Sequence, residues 1–285
     1  MAKILVTGGQ GQLARCIDKL SKVYELDFSF KSSLELDITK FEALEQELNG
    51  QGYDFCINCA AYTQVDKAES NKEAANLINH LAVDLLARLC KKYKVTLIHI
   101  STDFVFSGEN SLPYLEADKT NPLGVYGKSK LDGECRIQQN LAQFFIIRTS
   151  WLYSEFGNNF LKSMLQYGRE REALSVVYDQ VGTPTYAMDL AGLILKIIIS
   201  ESKSYGVYHY SNEGVASWYD FAFAIFKMAN MDCDLNPIRS EEYPTAAKRP
   251  SFSVLDKSRV KKIFQIKIPH WQQSLSEAIR NSSVK

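Results

Sequence analysis

The chain has 285 residues and a mass of 32.3 kDa, with 33 basic and 33 acidic side chains and a pI near 6.9. That length is enough for a large core in one large or two intimately joined domains, and the charge balance gives no electrostatic case for a nucleic acid or an anionic membrane. The longest apolar run, 190–199, is interrupted by Lys196 and is too short to span a bilayer, so the expected partner is a small molecule.

The chain opens on Ile4-Leu5-Val6-Thr7, a β-branched and apolar run that predicts a fully buried strand over 3–7. No targeting pattern precedes it, which points to the cytosol. The strand runs into Gly8-Gly9-Gln10-Gly11-Gln12-Leu13-Ala14 and then a helical pattern over 11–21. Glycines at Gly8 and Gly11 let the chain turn tightly and let a phosphate come close. The small Ala14 allows close helix–strand packing, and the helix offers unpaired N–H groups to a pyrophosphate.

A second strand is expected at 23–27, placing Asp27 where an acid would bind a ribose 2′-hydroxyl. Ser29, Lys31, Ser32 and Ser33 follow and suit a 2′-phosphate instead, so NADPH and NADH both stay open, and Asp27 equally suits a solvated turn. A helix over 40–49 leads to a strand over 54–59. This strand carries Cys56 and Cys59, whose alternation in a buried strand makes them core residues rather than metal ligands. The six cysteines and four histidines show no metal-ligand spacing, and no structural zinc is expected.

Helices at 71–93 and 125–140 and strands at 95–101 and 144–149 complete a βαβ alternation. Further helices are expected at 158–169, 188–202, 217–229 and 271–281. Four of the seven prolines fall between Pro237 and Pro269, marking a loop-rich C-terminal part suited to holding a substrate. The fold expected is α/β: a Rossmann-type, doubly wound parallel sheet with a smaller C-terminal substrate-binding domain. Residues 1–150, with 180–212 returning to it, would form the dinucleotide-binding domain, and 151–179 with 213–285 the substrate lobe.

Right-handed crossovers bring the carboxyl ends of the strands to one edge. The Gly8 turn, the Ala60-Ala61 turn, Ser101-Thr102 and Arg148-Thr149-Ser150 then converge. Tyr126 and Lys130, at i and i+4, share a helix face. An ammonium beside a phenol favours the phenolate, bringing the phenol nearer to useful proton transfer, and Thr102 at a strand end can hydrogen-bond the same substrate oxygen. Taken alone, Tyr-x-x-x-Lys equally suits an exposed helix face.

The motifs Leu36-Asp37-Ile38-Thr39, Asn58-Cys59-Ala60-Ala61-Tyr62-Thr63-Gln64-Val65-Asp66-Lys67-Ala68-Glu69, Ser101-Thr102-Asp103-Phe104-Val105-Phe106, Tyr126-Gly127-Lys128-Ser129-Lys130, Arg148-Thr149-Ser150-Trp151 and Asp179-Gln180-Val181-Gly182-Thr183-Pro184-Thr185 follow in that order. Together they resemble the extended short-chain dehydrogenase/reductase family in its nucleotide-sugar branch, most closely the dTDP-4-dehydrorhamnose reductases. The likeness runs over nearly the whole chain.

The resemblance implies a cytoplasmic NAD(P)-dependent oxidoreductase. It would pass hydride to C4 of a dTDP-linked 4-keto-6-deoxy sugar, in nucleotide-sugar and polysaccharide biosynthesis. It makes Tyr126 the proton donor, Lys130 the group that holds the nicotinamide ribose and tunes Tyr126, and Thr102 a hydrogen-bond partner of the carbonyl. Gly8, Gly11, Gln12, Leu13, Asp37, Ile38, Ala60, Ala61, Tyr62, Thr63 and Asn79 would meet the cofactor, NADPH or alternatively NADH, with Asn79 holding the active-site backbone or a water.

Thr102, Asp103, Phe104, Tyr126, Trp151 and Arg249 would meet the sugar nucleotide. Trp151 equally suits a core aromatic and Arg249 a surface cation. Phe104 stands where the resemblance leads one to expect a tyrosine, so a hydroxyl near the sugar is lost. Some members join two subunits through magnesium, but the matching positions are Cys16 and Met188, neither a hard oxygen ligand. A monomer or weak homodimer without a bridging metal is therefore expected. The same fold also serves as a regulatory subunit of methionine adenosyltransferase, and sister reductases giving 6-deoxytalose, or epimerases, share the motifs. Retention of Thr102, Tyr126 and Lys130 favours an enzyme.

Overall fold

The computed structural model describes residues 1–283. Its centre is a six-stranded parallel sheet. The strands β1 (Lys3–Thr7), β2 (Asp27–Lys31), β3 (Phe55–Asn58), β4 (Thr96–Thr102) and β5 (Phe144–Thr149) are joined by β7 (Gly206–His209), in the order β7-β5-β4-β3-β1-β2. The chain winds outward in both directions from β1 and β3, and the crevice at that reversal is where an open α/β sheet takes its ligands.

Alternate side chains of the strands feed two separate cores. Ile4, Val6, Ile57, Ile98 and Ile147 face α1 (Gln12–Ser21) and α8 (Ala187–Ile199). Leu5, Cys56, Leu97 and Ile146 face α2 (Phe41–Gln51), α5 (Ala82–Tyr93) and α6 (Val125–Asn140). Burial on both faces is why these strands read as continuous apolar runs rather than alternating ones. On the second face the apolar run stops short of the carboxyl ends. Thr7 lies opposite Asn58 and Asn58 opposite His99, all three buried, and one step on, Ser101 lies opposite Arg148. A polar row thus caps an apolar core just below the crevice.

The second strand begins where it was expected to end. Residues 23–26 form the turn out of α1, and Phe28 and Phe30 supply the strand's packing, so Asp27 sits opposite Lys3 at the amino end of β2, remote from the crevice. The helix expected over 71–93 is broken, too. It comprises α4 (Lys72–Asn76), a π-helical turn (Leu77–Leu81) and α5, after a short α3 (Val65–Ser70). The extra residue of a π turn re-aims a side chain, here Asn79. Its amide accepts from Tyr62 N at 2.9 Å and donates to Tyr62 O at 3.0 Å and Ser129 Oγ at 3.1 Å.

The C-terminal part holds more regular structure than its prolines suggest. The strands β6 (Ala173–Val177) and β8 (Asp234–Ile238) pair in parallel. They pack with α7 (Phe160–Glu170) and α9 (Trp218–Ala229), and α10 (Ser258–Phe264) and α11 (Trp271–Ser283) follow. A capping box starts α9: Ser217 Oγ accepts from Asp220 N at 3.0 Å, and Asp220 Oδ2 accepts from Ser217 N at 2.8 Å. Among the described residues, no helix is long and apolar enough to cross a membrane.

Candidate active site

A cavity of about 990 Å³ opens over the carboxyl ends of β1, β3, β4 and β5, at the upper end of what small-molecule sites span. The glycine turn forms one end. Gly8 has φ +66°, and a Cβ there would lie 2.8–2.9 Å from the backbone of Cys59 and Ala60. Gly11 N donates to Gly8 O at 2.8 Å and starts α1 with no capping side chain, so the first-turn N–H groups stay available to an anion. Gln12 and Leu13 line the same end. We expect Gly8→Ala, forced into a left-handed backbone against an immovable neighbour, to cost about 1–2 kcal/mol of stability from the backbone alone. It should also weaken dinucleotide binding at least tenfold, measurable by fluorescence titration, because the turn must move to make room.

Asp37 and Ile38 line one flank. Asp37 Oδ1 accepts from Thr39 N at 2.9 Å and Oγ1 at 2.7 Å, and the backbone bond above all holds the carboxyl below its ordinary range. Ala60, Ala61 and Thr63 line the opposite flank. Tyr62 does not reach the cavity. Asn79 grips its backbone from behind, so both stand as supports of the loop after β3.

Of the residues after β2, Ser33 lines the cavity, whereas Ser32 is buried and donates to Glu35 Oε2 from N at 2.8 Å and Oγ at 2.7 Å. Lys31 lies 3.5 Å from Glu47. The carboxyl end of β2, where an acid was expected, thus carries Lys31 followed by Ser32 and Ser33, and no carboxylate of Asp27.

Thr102, Asp103, Phe104, Tyr126 and Lys130 are brought together on the far wall. Thr102 ends β4 and lines the cavity beside Tyr126, its hydroxyl donating to Asp103 Oδ1 at 3.0 Å and accepting from Phe104 N at 3.2 Å. Phe104 meets the Tyr126 ring edge-on, centroids 5.7 Å apart. Burial pushes the phenol up to about 12; the Thr102 hydroxyl pulls the other way and Asp103 adds to the rise.

The expected contact between the Lys130 ammonium and that phenol is not made. Lys130 Nζ instead donates to Ile100 O at 2.7 Å and lies 3.3 Å from His99 Nε2, with burial pulling it down to about 8. Helical spacing put both residues on one face, but the lysine turns to the sheet, where a backbone carbonyl waits.

Asp103 is almost wholly buried. Its Oδ1 accepts from Thr102 Oγ1 at 3.0 Å, its Oδ2 has no hydrogen-bond partner, and burial raises it to about 6.

Trp151 lines the roof with a partner that sequence reasoning missed. Its indole stacks on Trp218, the first residue of α9, centroids 3.7 Å apart and planes within 9°. Trp151 adopts φ 46°, rare for a bulky residue, and a Cβ on Gly182 would lie 2.7 Å from its ring. The helix start at Ser217 was legible, but nothing local signals a stack across so long a separation. Arg249 lines the mouth, already engaged: its Nη2 donates to Asp66 Oδ2 at 2.6 Å and its Nη1 to Asp66 Oδ1 at 3.1 Å. Also unforeseen was the buried pair of Arg148 and Glu134 behind Ser101.

Residues 2–284 match the family described as RmlD substrate binding domain. The chain belongs to that family. It is 41% identical to the dTDP-4-dehydrorhamnose reductase of Aggregatibacter actinomycetemcomitans, over 96% of this chain and 97% of that one. Its fold superposes on the crystal structure of a dTDP-4-dehydrorhamnose reductase from Clostridium acetobutylicum with a TM-score of 0.95, at 40% identity over 99% of both chains. The Bacillus anthracis enzyme, solved in complex with NADP, matches at a TM-score of 0.94 and 36% identity over 99% of this chain and all of that one.

Proposed function

We propose that the chain reduces the C4 keto group of dTDP-4-dehydro-L-rhamnose to give dTDP-L-rhamnose, with NADPH as reductant. The observation that carries this reading is the placement of Thr102, Tyr126 and Lys130 on one wall of a cavity whose other end is a glycine turn and an uncapped helix start. The residues present fit a dinucleotide. Gly8 leaves a cradle that a Cβ would fill, and α1 turns free N–H groups toward a diphosphate. Ser33 offers a hydroxyl near a ribose 2′-phosphate, and the acid that would oppose that phosphate, Asp27, lies at the far end of β2. Bound there, the reduced cofactor supplies the hydride.

The chain's own residues do the rest. Hydride addition builds negative charge on the carbonyl oxygen, and donors already aimed at that atom stabilise the transition state more than the ground state. Tyr126 is neutral at physiological pH, so its proton is present to be given, and Thr102 supplies a second contact at the same oxygen. Trp151, rigid on Trp218, gives the deoxysugar a flat apolar face, and Phe104 packs beside Tyr126. Arg249 stands at the mouth for the substrate's diphosphate, in exchange with Asp66. Cys16 and Met188 are buried and soft, which supports a chain that shares no magnesium between subunits through these positions.

The deciding experiment follows oxidation of NADPH and of NADH in the presence of dTDP-4-keto-6-deoxy-L-lyxo-hexose and identifies the product by NMR. Turnover to dTDP-L-rhamnose, faster with NADPH, is the expected result. A talo product would move the reading to a sister reductase, and no oxidation of either nucleotide would end it.

A further inference from the structure

The buried row beneath the cavity fixes more than the sheet. Ala60 N is an obligatory donor, and it meets Asn58 Oδ1 at 3.2 Å, the atom that also accepts from Thr7 Oγ1 at 2.7 Å. The amide of Asn58 is thereby oriented, and its Nδ2 faces His99 Nδ1 at 3.0 Å. A side-chain NH₂ can only donate, so Nδ1 of His99 must accept and the ring proton must sit on Nε2. That N–H points at Lys130 Nζ, 3.3 Å away. An ammonium has no lone pair to receive it. A neutral amine does, and it still donates to Ile100 O at 2.7 Å.

The second buried histidine of the sheet is wired the opposite way. His209 Nδ1 donates to Tyr114 O at 3.0 Å, leaving the Nε2 lone pair to face Arg148 Nη1 at 3.4 Å. One ring welcomes a cation and the other turns one away.

We propose that the Thr7–Asn58–His99 ladder disfavours the ammonium of Lys130 in the cofactor-free protein, and that on the alkaline side dinucleotide binding is coupled to uptake of up to one proton there. This rests on the cofactor reading above. The balance is simple: the amine, a solvent proton and the dinucleotide give the ammonium in the complex, with no other bond changed. His99 is a positioning residue, acting through Lys130.

Other groups facing the amine do not remove the conflict. Glu134, one turn further along α6, has its charge taken up by Arg148 and Ser101. Cys59, from the end of β3, is a thiol that burial keeps protonated. Burial holds His99 itself neutral, and the burial that lowers Lys130 to about 8 acts in the same direction as the ladder. A bound dinucleotide brings anionic phosphates and ribose hydroxyls that favour the ammonium.

The test is calorimetric titration of the full chain with NADP⁺ in buffers of different ionisation enthalpy. At about pH 9, above the Lys130 value, uptake should approach one proton per NADP⁺ bound; at about pH 6.5 it should be near zero, and affinity should weaken roughly tenfold per pH unit above about 8. His99→Leu removes the opposing N–H, and His99→Gln, which can present its carbonyl to the amine, is the second variant. Each should reduce the uptake at pH 9 several-fold while NADP⁺ still binds. NADP⁺ binding with no proton exchange at pH 9 overturns the proposal and leaves the reductase reading intact. Unchanged uptake in both variants overturns the role of His99. No binding at all removes the cofactor reading and this inference with it.

Discussion

Tyr126→Phe should lower kcat by roughly two to four orders of magnitude, the loss expected when a positioned acid is removed, while leaving NADP⁺ affinity within about threefold. The ring survives in the variant, so its edge-on contact with Phe104 survives too, and only the hydroxyl near Thr102 is lost. The pH behaviour separates this role from others. The phenol of the empty site titrates at about 12, so its donor form is fully populated through the neutral range, and it should impose no alkaline limb on kcat/KM below about pH 10. A limb near pH 8 in kcat/KM for NADPH, which reports the empty site, belongs to Lys130 and should persist in the variant. Stopped-flow oxidation of NADPH with the keto sugar measures both. A variant turning over within tenfold of the parent would show that the carbonyl oxygen takes its proton from elsewhere.

The reason for expecting a neutral phenol shows where sequence was informative and where it was not. The spacing of Tyr126 and Lys130 is a local property and places both on one face of α6. What each then touches depends on the sheet beneath: Ile100 O and His99 draw the amine away from the phenol. The glycine turn was legible for the same local reason, since Gly8 needs a left-handed backbone and the run before it is apolar on both faces.

Strand β2 was displaced because Tyr24-Glu25-Leu26-Asp27 and Phe28-Ser29-Phe30 both alternate, and only pairing with Lys3–Thr7 chooses between them. Trp218 and the Asn58–His99 row were invisible because cross-strand register and inter-lobe stacking are set by tertiary packing. His99 and Arg148 each lie in strands that read simply as buried. Nothing in a single sequence says that the carboxyl-terminal step of three neighbouring strands is polar on the same face, because that statement needs the order of the strands.

Glu134→Gln should destabilise the chain by about 3–5 kcal/mol, among the largest effects available outside the apolar core. Arg148 has 5% of its side chain exposed and Glu134 none. The guanidinium clasps the carboxylate through Nε at 3.0 Å and Nη2 at 2.7 Å, and Ser101 Oγ adds a bond at 2.5 Å. The amide keeps some of these bonds but leaves a buried cation without its counter-charge; His209, held neutral mainly by burial with its value pulled down to about 3, offers Arg148 a lone pair and no negative charge. For a chain of this size the midpoint of thermal unfolding should fall by roughly 10 °C.

The consequence reaches the site, because Tyr126, Lys130 and Glu134 follow at intervals of four along α6, and the Glu134 clasp fixes that face against the ends of β4 and β5. Activity measured well below the new midpoint should therefore drop as well, by about tenfold, as Tyr126 loses its alignment with Thr102. The paired change Glu134→Met with Arg148→Met removes both charges together and should regain most of the stability without regaining the activity, since an apolar contact leaves Ser101 unpartnered and the helix free to shift. A single Glu134→Gln variant melting within about 2 °C of the parent would mean that water reaches the guanidinium and that the clasp is not what fixes the helix.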